Sequence, residues 1–338
     1  MKRLLCMTLA ILLCLCSLCG CEQEKPEEKR NSASTANSYT GGGLFAYRDG
    51  FIYFADLLNL YEYDMVSGKT VTLAGTSISS LSSPSGLHVT EDRVYFKMNS
   101  ALNYITRDGK ERGQISSAWG STMCTDGIDM FFKKSGNLIR RNLETGVEEV
   151  LWGKENGKIY TYALSNDKIY LTIENVQHRD YSLWMSDREN IDFQEVSLPE
   201  SVEPYKVCAV ADCVYFSILE NGGNLYRYQD GKVEELPFPT GPYYQVVGNK
   251  LISRDKGTTS KTRSKMGKEL SIRDLNTGEK TVIDDSASYF VVFEERYVCY
   301  WRPDEVHQQW YYYDLQTGQT TLMYEILDSE KQFGYSIG

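Results

Sequence analysis

Read for its alternation of apolar and polar positions, the chain keeps returning to one phrase: a polar turn, three or four apolar or aromatic residues in a row, then polar residues again. The phrase is GFIYFAD at 50–56, DRVYFKM at 92–98, IDMFFKK at 128–134, DKIYLTI at 167–173 and DCVYFSI at 212–218, with weaker forms NKLISRD at 249–255 and ERYVCYW at 295–301. With Ile52, Val94, Met130, Ile169, Val214, Leu251 and Tyr297 aligned, the spacings are 42, 36, 39, 45, 37 and 46 residues. That is a repeat of about 40 residues, in seven copies. Strand side chains alternate between faces, so a run that is apolar throughout must be covered on both faces. Tyr53, Tyr95, Phe131, Tyr170 and Tyr215 then point one way, and Phe54, Phe96, Phe132, Leu171 and Phe216 the other.

A second phrase follows the first: LYEYDMVSGKTVTL, LIRRNLETGVEEVL, LYRYQDGKVEEL, LSIRDLNTGEKTVI and YYYDLQTGQTTLM. Each reads as strand, tight turn, strand, and its outer half alternates as a half-exposed strand does. Short apolar strands such as GLHV (86–89) and KVCAV (206–210) come before the first phrase. Four strands per unit with short turns predicts an all-β fold, a β-propeller of four-stranded blades. The count is seven, with six or eight as alternatives. The stretches Asp64–Gly68, Asp274–Gly278 and Asp314–Gly318, with Asn142–Gly146 as a variant, read as hairpin turns rather than cation sites. In them Asp opens the turn and Gly supplies the positive φ. The grammar IYF…NLYRYDxxTGxxxxL is similar to exported bacterial propellers whose domain has no assigned function, themselves akin to YWTD (LDL-receptor-like) and TolB-like propellers. The likeness spans 44–324. YWTD propellers have six blades and the tetrapeptide itself is absent here, so the resemblance speaks for fold rather than function.

The N-terminus reads differently. MKRLLCMTLAILLCLCSLCGC (1–21) has a basic start and an apolar run of signal-peptide length, short for a spanning helix. Leu18-Cys19-Gly20-Cys21 resembles the lipobox of bacterial lipoproteins. That resemblance implies cleavage after residue 20 and acylation of Cys21 (the palmitate-type modification), which would hold the protein at the extracytoplasmic face of the cell membrane. Residues 22–43 are charged and then Ser/Thr/Gly-rich, a tether of on the order of 25 Å. The expected organisation is a leader over 1–20, lipidated Cys21 and tether over 21–43, propeller over 44–324, and a tail over 325–338 as a candidate closing strand. The sequence has 36 basic and 46 acidic residues, a formal net charge of −10. With Lys2 and Arg3 in the leader, the remainder is more acidic still, which argues against a nucleic-acid partner.

Chemistry must then come from loops. In such a blade the second-to-third strand loops and the blade connections share one end of the ring, and the other two sets of turns share the opposite end. The first set varies in this sequence, and variable loops on a rigid scaffold are where binding usually sits. Blade 6 carries SRDKGTTSKTRSKMGKEL (253–270), with Lys256, Lys261, Arg263, Lys265 and Lys268 giving local positive potential for an anionic partner such as teichoic acid, an acidic peptide or a phosphorylated lipid head; a solvated surface loop is the plainer reading. Blade 7 carries WRPDEVHQQW, with Trp301, Arg302, His307 and Trp310. Blade 4 carries ENVQHRDYSLW, with His178, Arg179 and Tyr181. Trp119 and Trp152 lie near blade connections at the same end. Such aromatics either stack on sugars or cap blade ends as packing.

His88 aligns with Ala46, Cys124, Ala163 and Cys208 on the innermost strands, a position that could face the central channel. Cys124, Cys208, Cys213 and Cys299 match no zinc or haem spacing. Cys208 and Cys213 flank one hairpin turn, which leaves a disulfide open, while Cys299 aligns with Phe96 and reads as buried. No G-x-S-x-G, H-E-x-x-H, P-loop or C-x-x-C-H is present and the chain has 3 His, so no catalytic residue, metal ligand or cofactor is assigned. The expectation is a non-enzymatic, membrane-tethered binding or scaffold module for a protein or surface polymer. A carbohydrate-binding or carbohydrate-active propeller is the alternative, since carboxylates gathered from several blades leave no linear motif.

Overall fold

In the computed structural model, the described residues are 43–327 apart from 57–58, 76–84, 99–100, 117–122, 166, 176–179, 201, 219–222, 241–242, 255–268 and 304–306. They form seven four-stranded antiparallel sheets, each with its strands in sequence order, arranged in a ring: a seven-bladed β-propeller. Blade 1 comprises Phe45–Arg48, Phe51–Ala55, Asn59–Asp64 and Lys69–Gly75; blade 2 comprises Ser85–Val89, Arg93–Met98, Ala101–Thr106 and Arg112–Ser116. Blade 3 comprises Met123–Thr125, Asp129–Lys134, Asn137–Asn142 and Glu148–Trp152; blade 4 comprises Lys158–Leu164, Lys168–Asn175, Asp180–Asp187 and Gln194–Glu195. Blade 5 comprises Pro204–Val210, Cys213–Ile218, Asn224–Gln229 and Lys232–Pro239; blade 6 comprises Tyr243–Val247, Lys250–Arg254, Leu270–Asp274 and Lys280–Asp284. Blade 7 comprises Tyr289–Phe293, Tyr297–Pro303, His307–Asp314 and Gln319–Leu327. No helix among the described residues is long and apolar enough to cross a membrane.

The second strand of each blade is apolar on both sides because both sides meet another blade. Ile52 and Phe54 pack with Val291 and Trp310 of blade 7, while Tyr53 between them packs with Val94 and Phe96 of blade 2. The same parity holds in blade 2, where Tyr95 joins Met130 and Phe132 of blade 3. Register identifies the equivalent residues, since Tyr47, Val89, Thr125, Leu164, Ala209 and Val246 on the innermost strands oppose Ile52, Val94, Met130, Ile169, Val214 and Leu251. In blade 7 the residue in that place is Val298, opposite Val292, and not Tyr297. The sequence alignment is therefore one residue early in blade 7, and Cys299 takes the place of Tyr53 and Tyr95 rather than that of Phe96. The run YVCYW carries no polar residue to mark its parity, and Tyr297 opens the strand after a turn in which Glu294 and Glu295 are both at positive φ.

The Asp- and Asn-initiated turns are hairpin loops. Asp64, Asn142, Asp274 and Asp314 each accept from the amide of the glycine four residues on, at 2.8–2.9 Å. Their side-chain oxygens accept from amides two residues on: Val66, Glu144, Asn276 and Gln316. Gly68, Gly146, Gly278 and Gly318 sit at φ of 68°, 72°, 76° and 70°, the left-handed region that an L side chain adopts only with strain.

Among the described residues no strand is exchanged to close the ring, and blade 7 is completed by its own Gln319–Leu327. An aromatic seam joins blades 7 and 1 instead. Phe54 lies 5.8 Å from Trp310 and 5.9 Å from Tyr324, Tyr61 lies 4.6 Å from Tyr324, and Tyr47 lies 5.3 Å from Tyr297. The Thr70 hydroxyl donates to the Met323 carbonyl at 2.8 Å across the same joint. Of the tail over 325–338, the candidate closing strand, residues 325–327 end the outermost strand of blade 7 and the rest lie outside the described residues.

Candidate functional site

The two ends of the ring differ chemically. At the end bearing the first-to-second and third-to-fourth turns, polar side chains are spent on the backbone or on each other. The clearest case is Asp126, in the inner turn of blade 3, which accepts from the amides of Ile128 and Asp129 at 2.9 and 2.7 Å. It is ion-paired with Arg188 of blade 4, and both residues are buried, at 3% and 4% exposure. Arg188 also donates to the Ser165 carbonyl and lies over the Phe131 ring. A buried cation here has a buried anion.

At the opposite end, four positions along the second strand from Ile52 and its equivalents inclusive, stand Ala55, Lys97, Lys133, Thr172, Ser217, Arg254 and Trp301. Each shares parity with the residue that faces the following blade. Lys133 confirms this by donating to the Tyr160 carbonyl of blade 4 at 3.1 Å. Burial, with Lys158 nearby, holds the Lys133 ammonium below its ordinary value. Opposite Ser217 the innermost strand of blade 5 carries Lys206, and opposite Arg254 that of blade 6 carries Tyr243.

Lys206, Tyr243 and Arg254 form the densest part of this end. The Lys206 ammonium lies 4.8 Å, and the Arg254 guanidinium carbon 4.3 Å, from the centre of the Tyr243 ring. Both cations are 8% exposed. Arg254 reaches on to Tyr289 of blade 7 at 5.9 Å, and Tyr289 stacks on Trp301 at 5.6 Å and 11°. Burial, and secondarily Arg254, pull the Lys206 pKa down to about 8, and burial likewise lowers Arg254. Among the described residues no carboxylate lies within ion-pairing distance of Arg254. Stripping water from a charge costs several kcal/mol, while a cation–π contact returns about 2 kcal/mol when desolvated. The rings alone do not offset that cost.

On the other side of Lys206, Tyr160, Tyr181 and Tyr205 make a three-ring cluster with centres 4.4–5.6 Å apart, and Tyr160 donates to the Tyr205 hydroxyl. Beyond it a cavity of about 380 Å³ runs along the blade 4 edge, with Asp180, Glu195, Glu200 and Glu203 among its lining residues. Acidic groove and cationic mouth thus adjoin through the tyrosines. Among the described residues no three His, Cys, Asp or Glu side chains are grouped so as to hold a metal ion.

The structure sorts the residues singled out by sequence. Trp301 is half-buried at the cationic end, and Arg302 beside it approaches Asp284 at 3.6 Å. Trp310 is 1% exposed in the blade 7–blade 1 seam. Trp152 is buried between blades 3 and 4, with edge contacts to Trp184 and Phe193 and its indole N–H donated to the Gly157 carbonyl. These last two present no open face to a ligand. The backbone of His307 begins the third strand of blade 7, opposite Leu327. Lys256, Lys261, Arg263, Lys265, Lys268, His178, Arg179, Trp119 and Cys21 lie outside the described residues. Arg254, at the root of the 255–268 stretch, does not.

His88, expected at the channel, instead spans a blade joint: its Nε2 is 2.8 Å from the Met123 carbonyl of blade 3. Register places it with Ala46, Cys124, Ala163, Cys208, Gln245 and Val291, and this position also bonds across the joint at Cys208 and at Gln245, whose Oε1 accepts from the Val292 amide. All four described cysteines are free thiols, with Cys208 turned to Val246 rather than to Cys213. Sequence reasoning passed over Lys206, Tyr243 and Arg254. The signal available was positional: a cation or aromatic at the fourth place of the second strand, or opposite it, in blade after blade.

No family model matches the chain, and no curated protein matches it. Solved structures do resemble it. An oligogalacturonate lyase from Vibrio parahaemolyticus is 12% identical, with 87% of this chain and 90% of that one covered and a TM-score of 0.58. A puromycin hydrolase is 11% identical, with 86% and 55% covered and a TM-score of 0.57. TolB from Acinetobacter baumannii, with 85% and 78% covered at 12% identity, has a TM-score of 0.48. At these identities the likeness concerns the fold, a β-propeller, and leaves the chemistry to the residues of this chain.

Proposed function

We propose that this propeller is a non-enzymatic binding module, held at the extracytoplasmic face of the cell membrane by acylated Cys21, that engages a partner protein or surface polymer through its variable-loop end. The observation that supports this reading best is the contrast between the ends. At the turn end a buried cation is neutralised within the fold, as Arg188 is by Asp126. At the loop end Lys133, Lys206 and Arg254 are held against rings and carbonyls, beside the half-buried Tyr289–Trp301 stack. Polar and aromatic groups kept at one end of a rigid ring are what a recognition surface requires.

Two experiments test it on the full chain in its native membrane. A photo-crosslinking residue at Trp301 or Tyr181 should capture a partner, while the same residue at Val150 or Val282, exposed on the outer strands, should not. Capture from the outer-strand sites alone, or from none, rejects the loop-end reading. Labelled palmitate should be incorporated into the wild-type chain and not into Cys21→Ser, which should leave the membrane fraction; equal labelling of the two rejects the anchor.

A further inference from the structure

The blades differ at their outer edge. In blades 1, 5, 6 and 7 the outermost strand covers its neighbour from that neighbour's first residue: Asn59 opposes Gly75, Asn224 Pro239, Leu270 Asp284 and His307 Leu327. In blades 2 and 3 the cover begins at the second residue, with Leu102 opposite Ser116 and Leu138 opposite Trp152. Blade 4 departs from this. Its outermost strand is only Gln194–Glu195, paired with Met185 and Trp184, and the Val196 amide adds one bond to the Leu183 carbonyl at 2.8 Å. Asp180, Tyr181 and Ser182, which open the third strand, have no outer strand beside them among the described residues. Backbone groups alternate in direction along an antiparallel strand. Since Leu183 turns its carbonyl outward, Tyr181, two residues back, turns its N–H and carbonyl outward too.

The chain beyond Glu195 leaves this edge instead of following it. Val196 and Val202 are buried with blade 5 side chains such as Val207 and Phe216, and the Val202 amide donates to the Pro199 carbonyl at 2.9 Å. Between this segment and Asp180–Leu183 lies the cavity of about 380 Å³, a volume within the usual range of ligand pockets. Its described lining brings together the carboxylates of Asp180, Glu195, Glu200 and Glu203. Burial, and then neighbouring negative charge that includes Glu174 and Glu203, holds the Tyr181 phenol above its ordinary value.

We propose that a guest strand completes blade 4: an extended, lysine- or arginine-bearing segment of a partner protein pairs with the open edge at Asp180–Ser182 and sets its cations against the carboxylates of the cavity. The inference rests on the loop-end reading above, because this edge opens at that end of the ring. An open strand edge is a template for another backbone, and strand addition uses main-chain hydrogen bonds for affinity and side-chain pockets for specificity. The uncovered stretch is roughly 10 Å long at about 3.3 Å per residue, enough for a short extended segment. The carboxylates decide its charge. A second copy of this chain fits less well, since it carries a formal net charge of −10 to an acidic groove.

The test uses the full chain in detergent, titrated calorimetrically with three peptides: alternating lysine and threonine, the same with glutamate for lysine, and the lysine peptide N-methylated at alternate amides. The lysine peptide should bind, less tightly as salt rises, and the glutamate peptide should not. N-methylation removes the donors that a paired strand needs and should weaken binding at least tenfold. Glu200→Gln combined with Glu203→Gln should weaken it at least tenfold as well, as should Tyr181→Pro, which deletes the outward N–H. Glu279→Gln, an exposed carboxylate in the blade 6 hairpin loop, should leave it unchanged. Thermal melts confirm that each variant is folded; should Tyr181→Pro fail to fold, the N-methylated peptide tests the backbone pairing by itself. Equal affinity for the methylated and unmethylated peptides overturns strand addition. Equal affinity for the lysine and glutamate peptides, or wild-type affinity in the doubly neutralised variant, overturns the charge assignment. Self-association in sedimentation runs that Tyr181→Pro abolishes, with no peptide bound, overturns the partner in favour of a second copy. If no peptide binds while Trp301 still captures a partner, the blade 4 groove falls and the loop-end reading stands; if capture at Trp301 is lost as well, both fall.

Discussion

On the innermost strand of blade 2 a histidine occupies the place that other blades give to Ala46, Cys124, Ala163, Cys208, Gln245 and Val291. His88 is buried and its Nε2 contacts the Met123 carbonyl, so the neutral ring with the proton on Nε2 donates across the blade joint. Burial holds its pKa down to about 4, against the partial opposition of that hydrogen bond. An unfolded chain takes up the proton near the ordinary histidine value while the folded one refuses it until about pH 4. Stability from this group is thus complete above about pH 6.5 and is lost as pH falls toward 4, by roughly 3 kcal/mol. Denaturant titrations at pH 7 and pH 4.5 should show this loss in wild type and a clearly smaller one in His88→Gln; an identical pH dependence in both would contradict the assignment.

At the scale of elements, neighbouring blades are joined by specific polar bridges as well as by rings. Tyr162 donates to the Phe131 carbonyl at 2.9 Å and Tyr244 to the Lys206 carbonyl at 2.6 Å. The Asp126–Arg188 pair bridges blades 3 and 4 at the turn end. Removing one member of such a pair leaves the other charge buried without its partner, at about 3–5 kcal/mol. Asp126→Asn should lower unfolding stability by that amount, whereas Lys110→Gln, which breaks an exposed pair, should change it little. Equal small effects would mean that the buried pair is screened. The hairpin loops make a milder demand. Gly146→Ala places a side chain at φ 72° and should cost about 1 kcal/mol, read from the same denaturation curves.

For the whole molecule the question is closure. Every blade takes its four strands from consecutive chain, so the first and last blades meet without a shared strand, through packed rings and the Thr70–Met323 hydrogen bond. Trp310, Phe54, Tyr61 and Tyr324 carry that seam. Trp310→Ala opens a cavity there and should destabilise by about 3–5 kcal/mol. Because the seam is the one joint between blades not crossed by a chain connection, the same variant should raise hydrogen exchange first in blades 1 and 7. Uniform exchange across all blades would instead mean that the ring opens as one unit.

Much of this protein is legible without its structure. The two-sided apolar runs can be buried only between blades and the Asp/Asn-to-Gly loops can only turn, because each rule acts within a few residues; their recurrence points to seven blades with six and eight left open, and the strand pairing gives seven. What the sequence could not deliver is whatever depends on which side chains meet across a joint. The parity of YVCYW, the turning of His88 and Cys208 into the next blade, and the withdrawal of Trp152 and Trp310 from the surface were all settled by packing. So was the meeting of Lys206, Tyr243 and Arg254: they come from three strands spread over some fifty residues, and only the packing of blade 6 on blade 5 brings two like charges to one aromatic face.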